Sequence, residues 1–220
     1  MIAFLVPAYN AASTLQTLLV RLKTYQSPEH ILVVDDGSTD ATATVAAQAG
    51  VGLLRHDKNR GKGAALRTGF LQLTGQRRYE AVLTIDADLQ HDPGDIPAFM
   101  TRWATRDFQM LVGFRKKMGS TMPIHRRLSN TLTSLLVSAR TGTMIKDSQC
   151  GFRIVSTEIL SAVALESDGF EAETELLINA ALKGYRIGFV PVATIYGTAE
   201  SHMTPWQTTK QFLSVLLKEY

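Results

Sequence analysis

Val82-Leu83-Thr84-Ile85-Asp86-Ala87-Asp88-Leu89-Gln90 sets an apolar run directly against two carboxylates one residue apart. A short continuous apolar run that ends in polar residues reads as a buried strand, covered on both faces of its sheet. Working outward, strand-like runs stand at Ile2–Val6, Ile31–Val34, Gly52–Arg55, Ala81–Ile85 and Gln109–Val112. A turn and a helix-like stretch follow each of the first four. Ala12–Lys23 carries Leu15, Leu18, Leu19 and Leu22 at helical spacing, and Thr39–Ala49 and Ala64–Leu73 repeat the pattern more weakly. Strands alternating with helices specify an α/β fold, Rossmann-like, with a central mainly parallel sheet flanked by helices. Beyond residue 115 the reading is a helix over Ile124–Arg140, a strand near Phe152–Ser156, helices near Thr157–Ala164 and Glu171–Leu182, and a strand at Arg186–Val190.

Ligands of open parallel sheets bind beyond the carboxyl ends of the strands, where loops and helix N-termini converge. Three polar clusters fall at such ends: Pro7-Ala8-Tyr9-Asn10, Asp35-Asp36-Gly37-Ser38 and Asp86-Ala87-Asp88. Asp86 and Asp88 can share a divalent cation, Mg²⁺ or Mn²⁺, with Gln90 as a neutral ligand; such an ion would neutralise a diphosphate leaving group. Capping of a helix near Asp95–Trp103 would explain the same acids. In Val33-Val34-Asp35-Asp36-Gly37-Ser38-Thr39-Asp40 the pattern recurs, with Asp36 placed to bond a ribose hydroxyl or a base N–H and with Ser38 and Asp40 read as caps.

Composition narrows the field. A chain of 220 residues that is 45% hydrophobic has the makings of one globular domain. No linker, like-charge block or repeat divides it, and the expected organisation is one domain over 1–204 with a C-terminal amphipathic helix over 205–220. The lone Cys150 rules out an internal disulfide framework. No apolar run reaches the ~18 residues of a membrane span, and Met1–Val6 has no basic leader, which points to a cytoplasmic protein, at most peripheral at the inner face of a membrane. The net charge of +3 is mild, and no aromatic-interleaved basic stripe suggests nucleic acid; basic residues at 115–117 and 126–127 suit an anionic small molecule better.

With these motifs in view, the chain resembles the family-2 glycosyltransferases of GT-A fold, and within them the dolichyl- or polyprenyl-phosphate sugar synthases. The stretches that carry the resemblance are Val6-Pro7-Ala8-Tyr9-Asn10, Val33 to Asp40, Asn59-Arg60-Gly61-Lys62-Gly63-Ala64-Ala65, Asp86-Ala87-Asp88-Leu89-Gln90-His91, Gly113-Phe114-Arg115 and Asp147-Ser148-Gln149-Cys150-Gly151-Phe152-Arg153. The resemblance implies an inverting transfer from a GDP- or UDP-linked sugar. Pro7 and Tyr9 would border the base, Val34 and Asp36 would meet base and ribose, and Asp86, Ala87 and Asp88 would form the donor centre, with Asp86, Asp88 and Gln90 on the metal. Arg115 would take a phosphate in its bidentate fork, with Arg126 as a further phosphate ligand. Asp147 is a strong site candidate; in the stretch that follows it, Gly151 is read as a turn, Phe152 as core and Arg153 as internally paired. Gly61-Lys62-Gly63 opens a helix whose N–H groups face either anionic groups or a structural turn, with Lys62 solvated in the second case.

A hydroxyl acceptor needs a carboxylate base, for which Asp147, Glu171, Glu173 and Glu175 are available; a polyprenyl phosphate is already ionised and needs positioning instead. Gln90, Arg115 and Arg126 favour the lipid phosphate, with Asp88, Asp147, Glu173 and Arg115 as the catalytic set. Two departures stand against the pattern: Ala193 replaces an expected phosphate-binding Arg, with His202 a potential substitute, and Ala11 replaces a Glu. Over Pro205–Tyr220, Trp206, Leu213, Leu216, Leu217 and Tyr220 line one apolar face, which would pack on the protein itself, on a second subunit or on a membrane surface. The alternatives are a family-2 enzyme acting on a glycan or glycolipid hydroxyl, and a non-catalytic nucleotide-sugar binder. A nucleotidyltransferase lacks its Gly-rich basic loop here, and a dinucleotide oxidoreductase its G-x-G-x-x-G.

Overall fold

The computed structural model describes residues 1–115, 124–193 and 205–220, with the backbone alone at 124–128 and 205–208. Seven strands form one sheet in the order β3-β2-β1-β4-β6-β5-β7: β1 Ile2–Ala8, β2 Ile31–Asp35, β3 Gly52–Arg55, β4 Ala81–Thr84, β5 Met110–Arg115, β6 Arg153–Ser156 and β7 Ile187–Val192. All pair in parallel except β6, which runs antiparallel between β4 and β5. Every residue of β1, β2, β4 and β6 is buried, as a sheet covered on both faces requires.

Around the sheet lie α1 Ala12–Leu22, α2 Thr42–Gln48, α3 Lys62–Gly75, α4 Ile96–Ala104, α5 Ile124–Thr141, α6 Thr157–Ala162, α7 Ala172–Leu182 and α8 Pro205–Leu217. α1 buries Leu15, Leu18, Leu19 and Leu22, the stripe its sequence spacing specifies. α7 is enclosed on nearly all sides, so Glu173 and Glu175 sit in the interior and not on a solvated first turn. α8 turns Phe212, Val215 and Leu216 into the core against α5 and α7 and leaves Leu213 and Leu217 exposed.

The register places the site. Pro7 stands opposite Val34, and Ala8 opposite Asp35. Arg153, on β6, lies opposite Thr84 on one side and Val112 on the other. The single reversed strand thereby carries the Asp147–Phe152 segment back to the sheet edge where β4 and β5 end.

Candidate active site

At the end of β4, Asp86 accepts a bond from the Lys62 ammonium at 2.7 Å, and the same ammonium reaches Glu173 of α7 at 3.0 Å. Lys62 is nearly enclosed: 12% of its side chain is exposed. The solvated lysine that the sequence allowed is therefore replaced by a buried one. Burial alone would lower its pKa, but Asp86 and Glu173 outweigh it and keep the ammonium protonated. Burial likewise opposes ionisation of Asp86, yet Lys62 and His91 hold its carboxyl below the usual range. Asp88 moves the other way, raised by burial and by the negative charge of Asp86. Its Oδ1 accepts from the Gln90 N–H at 2.9 Å, a turn closed by Leu89 at φ 60°. Ala87, between the two acids, is buried.

The helix N-terminus behind Lys62 is already filled. Gly63 N–H donates to the Asp168 carbonyl at 2.7 Å, and Gly61, at φ 97°, lies so near that carbonyl that a Cβ would come within 2.2 Å of it. The turn is therefore structural at Gly61 and Gly63, while Lys62 departs from the solvated lysine of that reading by pairing with Asp86 and Glu173.

Gly151 is not a left-handed turn. A Cβ there would stand 2.5 Å from Asp86 Oδ2 and 2.9 Å from Glu173 Oε1, so this glycine admits the two carboxylates to one space. Phe152 stacks on Phe99 with centroids 4.4 Å apart. Arg153, 1% exposed, donates to the carbonyls of Ser148, Cys150 and Glu173, and so locks the segment to the start of α7.

Arg115, at the end of β5, meets Asp147 through two parallel bonds, Nε to Oδ2 at 2.7 Å and a terminal nitrogen to Oδ1 at 2.8 Å. The sequence named both as site residues without pairing them. His91 connects the two clusters. It is buried, its Nε2 lies 3.8 Å from Cys150 Sγ, and its Nδ1 has no hydrogen-bond partner. Burial, aided by the charges of Arg115 and Lys62, pushes its pKa down to about 4 and keeps the ring neutral. Burial also pushes the Cys150 thiol up to about 12.

At the β1–β2 edge, Tyr9 is 39% exposed, while Val34 is fully enclosed and presents no side chain outward. Asp36 is engaged by the protein itself. Its carboxylate accepts from His56 Nδ1 at 2.6 Å, from Arg60 N–H at 3.0 Å and from Gly61 N–H at 2.8 Å, and it is buried. It organises the loop that leads to Lys62. His56, which escaped the sequence reading, closes β3 and turns back onto Asp36, with Thr68 on its other nitrogen at 2.9 Å. Asp40 takes the Ala12 and Thr42 N–H groups, at the first residues of α1 and α2, without occupying either N-cap position, and Ser38 takes the N–H of Asn10, which ties two loops together and caps no helix. Ala193 donates its N–H to Asp95. The side chain of Arg126, and all of His202, lie outside the described residues.

Residues 3–166 match the family model described as glycosyl transferase family 2. Among curated relatives, an uncharacterised protein of Methanocaldococcus jannaschii is 34% identical over 87% of this chain and 80% of its own. The UDP-N-acetylglucosamine–dolichyl-phosphate N-acetylglucosaminyltransferase of Methanococcus voltae is 28% identical over 89% of this chain and 86% of its own. An undecaprenyl-phosphate mannosyltransferase of Micrococcus luteus is 28% identical over 87% and 82%. In fold, glucosyl-3-phosphoglycerate synthase of Mycobacterium tuberculosis, crystallised with UDP, superposes with a TM-score of 0.76 over 99% of this chain and 79% of its own, at 20% identity. The sheet thus has its counterpart in a known GT-A architecture, and the chain belongs to glycosyl transferase family 2.

Proposed function

We propose that this enzyme transfers a sugar from a nucleoside-diphosphate sugar to a polyprenyl phosphate, with inversion at the anomeric carbon. The observation that carries the choice of acceptor is the state of the candidate bases. Asp147 is bound bidentately by Arg115 and Glu173 by Lys62. Both oxygens of Asp147 and one of Glu173 are thus taken up by cations, which leaves these two carboxylates poorly placed to receive a proton from an acceptor hydroxyl. A phosphate monoester brings an oxygen that is already ionised, and then positioning and charge neutralisation suffice. Its oxygen attacks the anomeric carbon, the bond from that carbon to the nucleoside diphosphate breaks, and the electron pair leaves with the diphosphate. No proton has to be moved. The relatives from Methanococcus voltae and Micrococcus luteus, named for polyprenyl-phosphate acceptors, support the same reading.

Asp86, Asp88 and Gln90 fit a divalent cation. Their donors are hard oxygens, the Asp88 carboxyl is raised by burial and by the charge of Asp86, which a cation would relieve, and Lys62 pairs with Asp86 through Oδ1. Among the described residues, no group of three His, Cys, Asp or Glu is arranged to hold a metal ion by itself, so the ion would need oxygens of the nucleotide as well. Mg²⁺ or Mn²⁺ would there neutralise charge on the leaving diphosphate. Pro7 and Tyr9 would border the base, while Asp36 serves the donor through the loop it organises.

The test is incubation with a panel of labelled GDP- and UDP-sugars and polyprenyl phosphate, followed by organic extraction. The expected result is label in the organic phase from one donor with Mg²⁺ or Mn²⁺ present, abolished by EDTA. Exclusively water-soluble glycoside product would refute the acceptor; EDTA-resistant transfer would refute the metal.

A further inference from the structure

Over its described side chains, residues 129–141, α5 is built inside out. Its buried face is small and hydroxylic: Ser134 and Val137 are enclosed, and Ser138 and Thr141 are half-buried beside them. Its outer face shows Leu132 at 58% exposure, Leu135 at 61% and Leu136 at 37%, one helical stripe directed away from the core. A helix of a water-exposed surface ordinarily has the reverse arrangement. Met144, beyond the helix end, is 77% exposed, and Arg140 bonds the Lys218 carbonyl, which brings the end of α8 alongside α5.

Charge is segregated onto the same stretch. From residue 108 to 146 the sequence holds seven Lys and Arg and no Asp or Glu, against totals of 23 and 20; the remainder is left with 16 basic and 20 acidic residues. An apolar stripe within a stretch that is basic and devoid of acids is complementary to an anionic bilayer, where apolar burial and attraction to lipid headgroups act together.

The inner face explains why this helix would be the one to dock. Ser134 Oγ accepts from the Ser148 N–H at 3.1 Å, and Ser138 Oγ accepts from the Ile145 N–H at 2.9 Å. Those bonds hold the 145–148 loop, and with it Asp147 and its partner Arg115. One helix thus joins an apolar surface to the guanidinium end of the site.

We propose that the outer face of α5, Leu132, Leu135 and Leu136, docks on an anionic membrane surface and sets the height at which a lipid-borne phosphate meets the Arg115 end of the site. This rests on the proposed lipid-phosphate acceptor.

Flotation with vesicles of equal parts phosphatidylglycerol and phosphatidylcholine tests it. The parent should float with these vesicles, less so as salt rises, and weakly with pure phosphatidylcholine. The double substitution Leu135→Asn and Leu136→Asn should weaken binding by about tenfold or more with an unchanged thermal melt, since neither side chain is in the core. A second reading uses Leu132→Cys carrying an environment-sensitive fluorophore, selective because the native Cys150 is buried; its emission should shift to the blue on adding vesicles. A parent that stays at the bottom, a double variant that floats equally well, or leucines that instead hold a dimer which the double variant dissociates in sedimentation, overturns the docking face. Lipid-linked product formed in detergent by a protein that does not float overturns this inference alone. Flotation without transfer to polyprenyl phosphate overturns the acceptor and leaves the face.

Discussion

Asp86 and Glu173 come from a strand end and a helix far apart in sequence, and one ammonium group, that of Lys62, keeps the two negative charges together in a nearly enclosed space. Removing one partner of a buried charge group leaves the others unpaired, at a cost of about 3–5 kcal/mol. Lys62→Met should therefore lower the stability by about that amount and abolish transfer. Adding Glu173→Gln should recover part of the stability, because a neutral amide no longer needs the ammonium. Denaturant titrations of the parent, the single and the double variant decide this; additive losses would show that the three groups are not coupled. The sequence displayed Asp86, Asp88 and Gln90 plainly, since a strand ending in acids is a local pattern. It left Lys62 open, because a lysine at a helix start reads alike whether solvated or buried. His91 follows Gln90 directly and still went unassigned: nothing local reveals that its ring is enclosed between the two charge clusters.

At the scale of elements, the strands and main helices were legible from apolar spacing, with ends displaced by up to three residues, as at β1, which runs on to Ala8, and β5, which runs on to Arg115. Strand order was not legible. That β6 inserts between β4 and β5, antiparallel to both, depends on long-range pairing that no window of sequence contains. This is also why Arg115 and Asp147 were read as separate site residues, when the reversed strand brings them into a bidentate pair. The turn into β6 is correspondingly tight. The Gly151 carbonyl accepts from Thr84 Oγ1 at 2.8 Å, and its Cα faces Asp86 and Glu173. Gly151→Ala should displace the Asp86 carboxylate and cost about 1–3 kcal/mol of stability from overpacking. Donor affinity, measured by calorimetry with the nucleotide sugar, should fall more than ten-fold. Unchanged affinity would mean that the Asp86 position is not critical to donor binding.

Across the whole molecule, α8 is tied to the site through buried charge. Lys218 donates to Glu175 at 2.7 Å and to Glu166 at 2.7 Å; the other oxygen of Glu175 takes the N–H groups of Glu166 and Ser167. The next residue, Asp168, supplies the carbonyl that holds Gly63 at the start of α3, beside Lys62. The C-terminal helix therefore braces the loop on which the Lys62 turn rests. Burial raises the Glu175 pKa, but Lys218 and the loop N–H groups more than offset it, and the net shift is downward. A carboxyl whose folded pKa is depressed contributes stability that is fully present above the unfolded value of about 4.3 and is lost as pH falls through the folded value. The Lys218 ammonium, shifted upward by the same partners against the effect of burial, contributes below its ordinary pKa and loses its contribution only at strongly alkaline pH. Stability from this latch should thus be flat near neutrality and decline below about pH 4.3. Lys218→Met should cost about 3 kcal/mol at neutral pH, because Glu175, with none of its side chain exposed, is left without its cation. The substitution should also shrink the acid decline, since Glu175 then loses the main cause of its low pKa. Urea midpoints from about pH 7 down to about pH 3 measure both effects. An acid limb of the same slope in the variant and the parent would place the titrating carboxylate elsewhere. Because the bracing runs through Asp168 to Gly63, donor affinity should fall in the same variant, and calorimetry under the conditions of the neutral-pH titration checks that linkage.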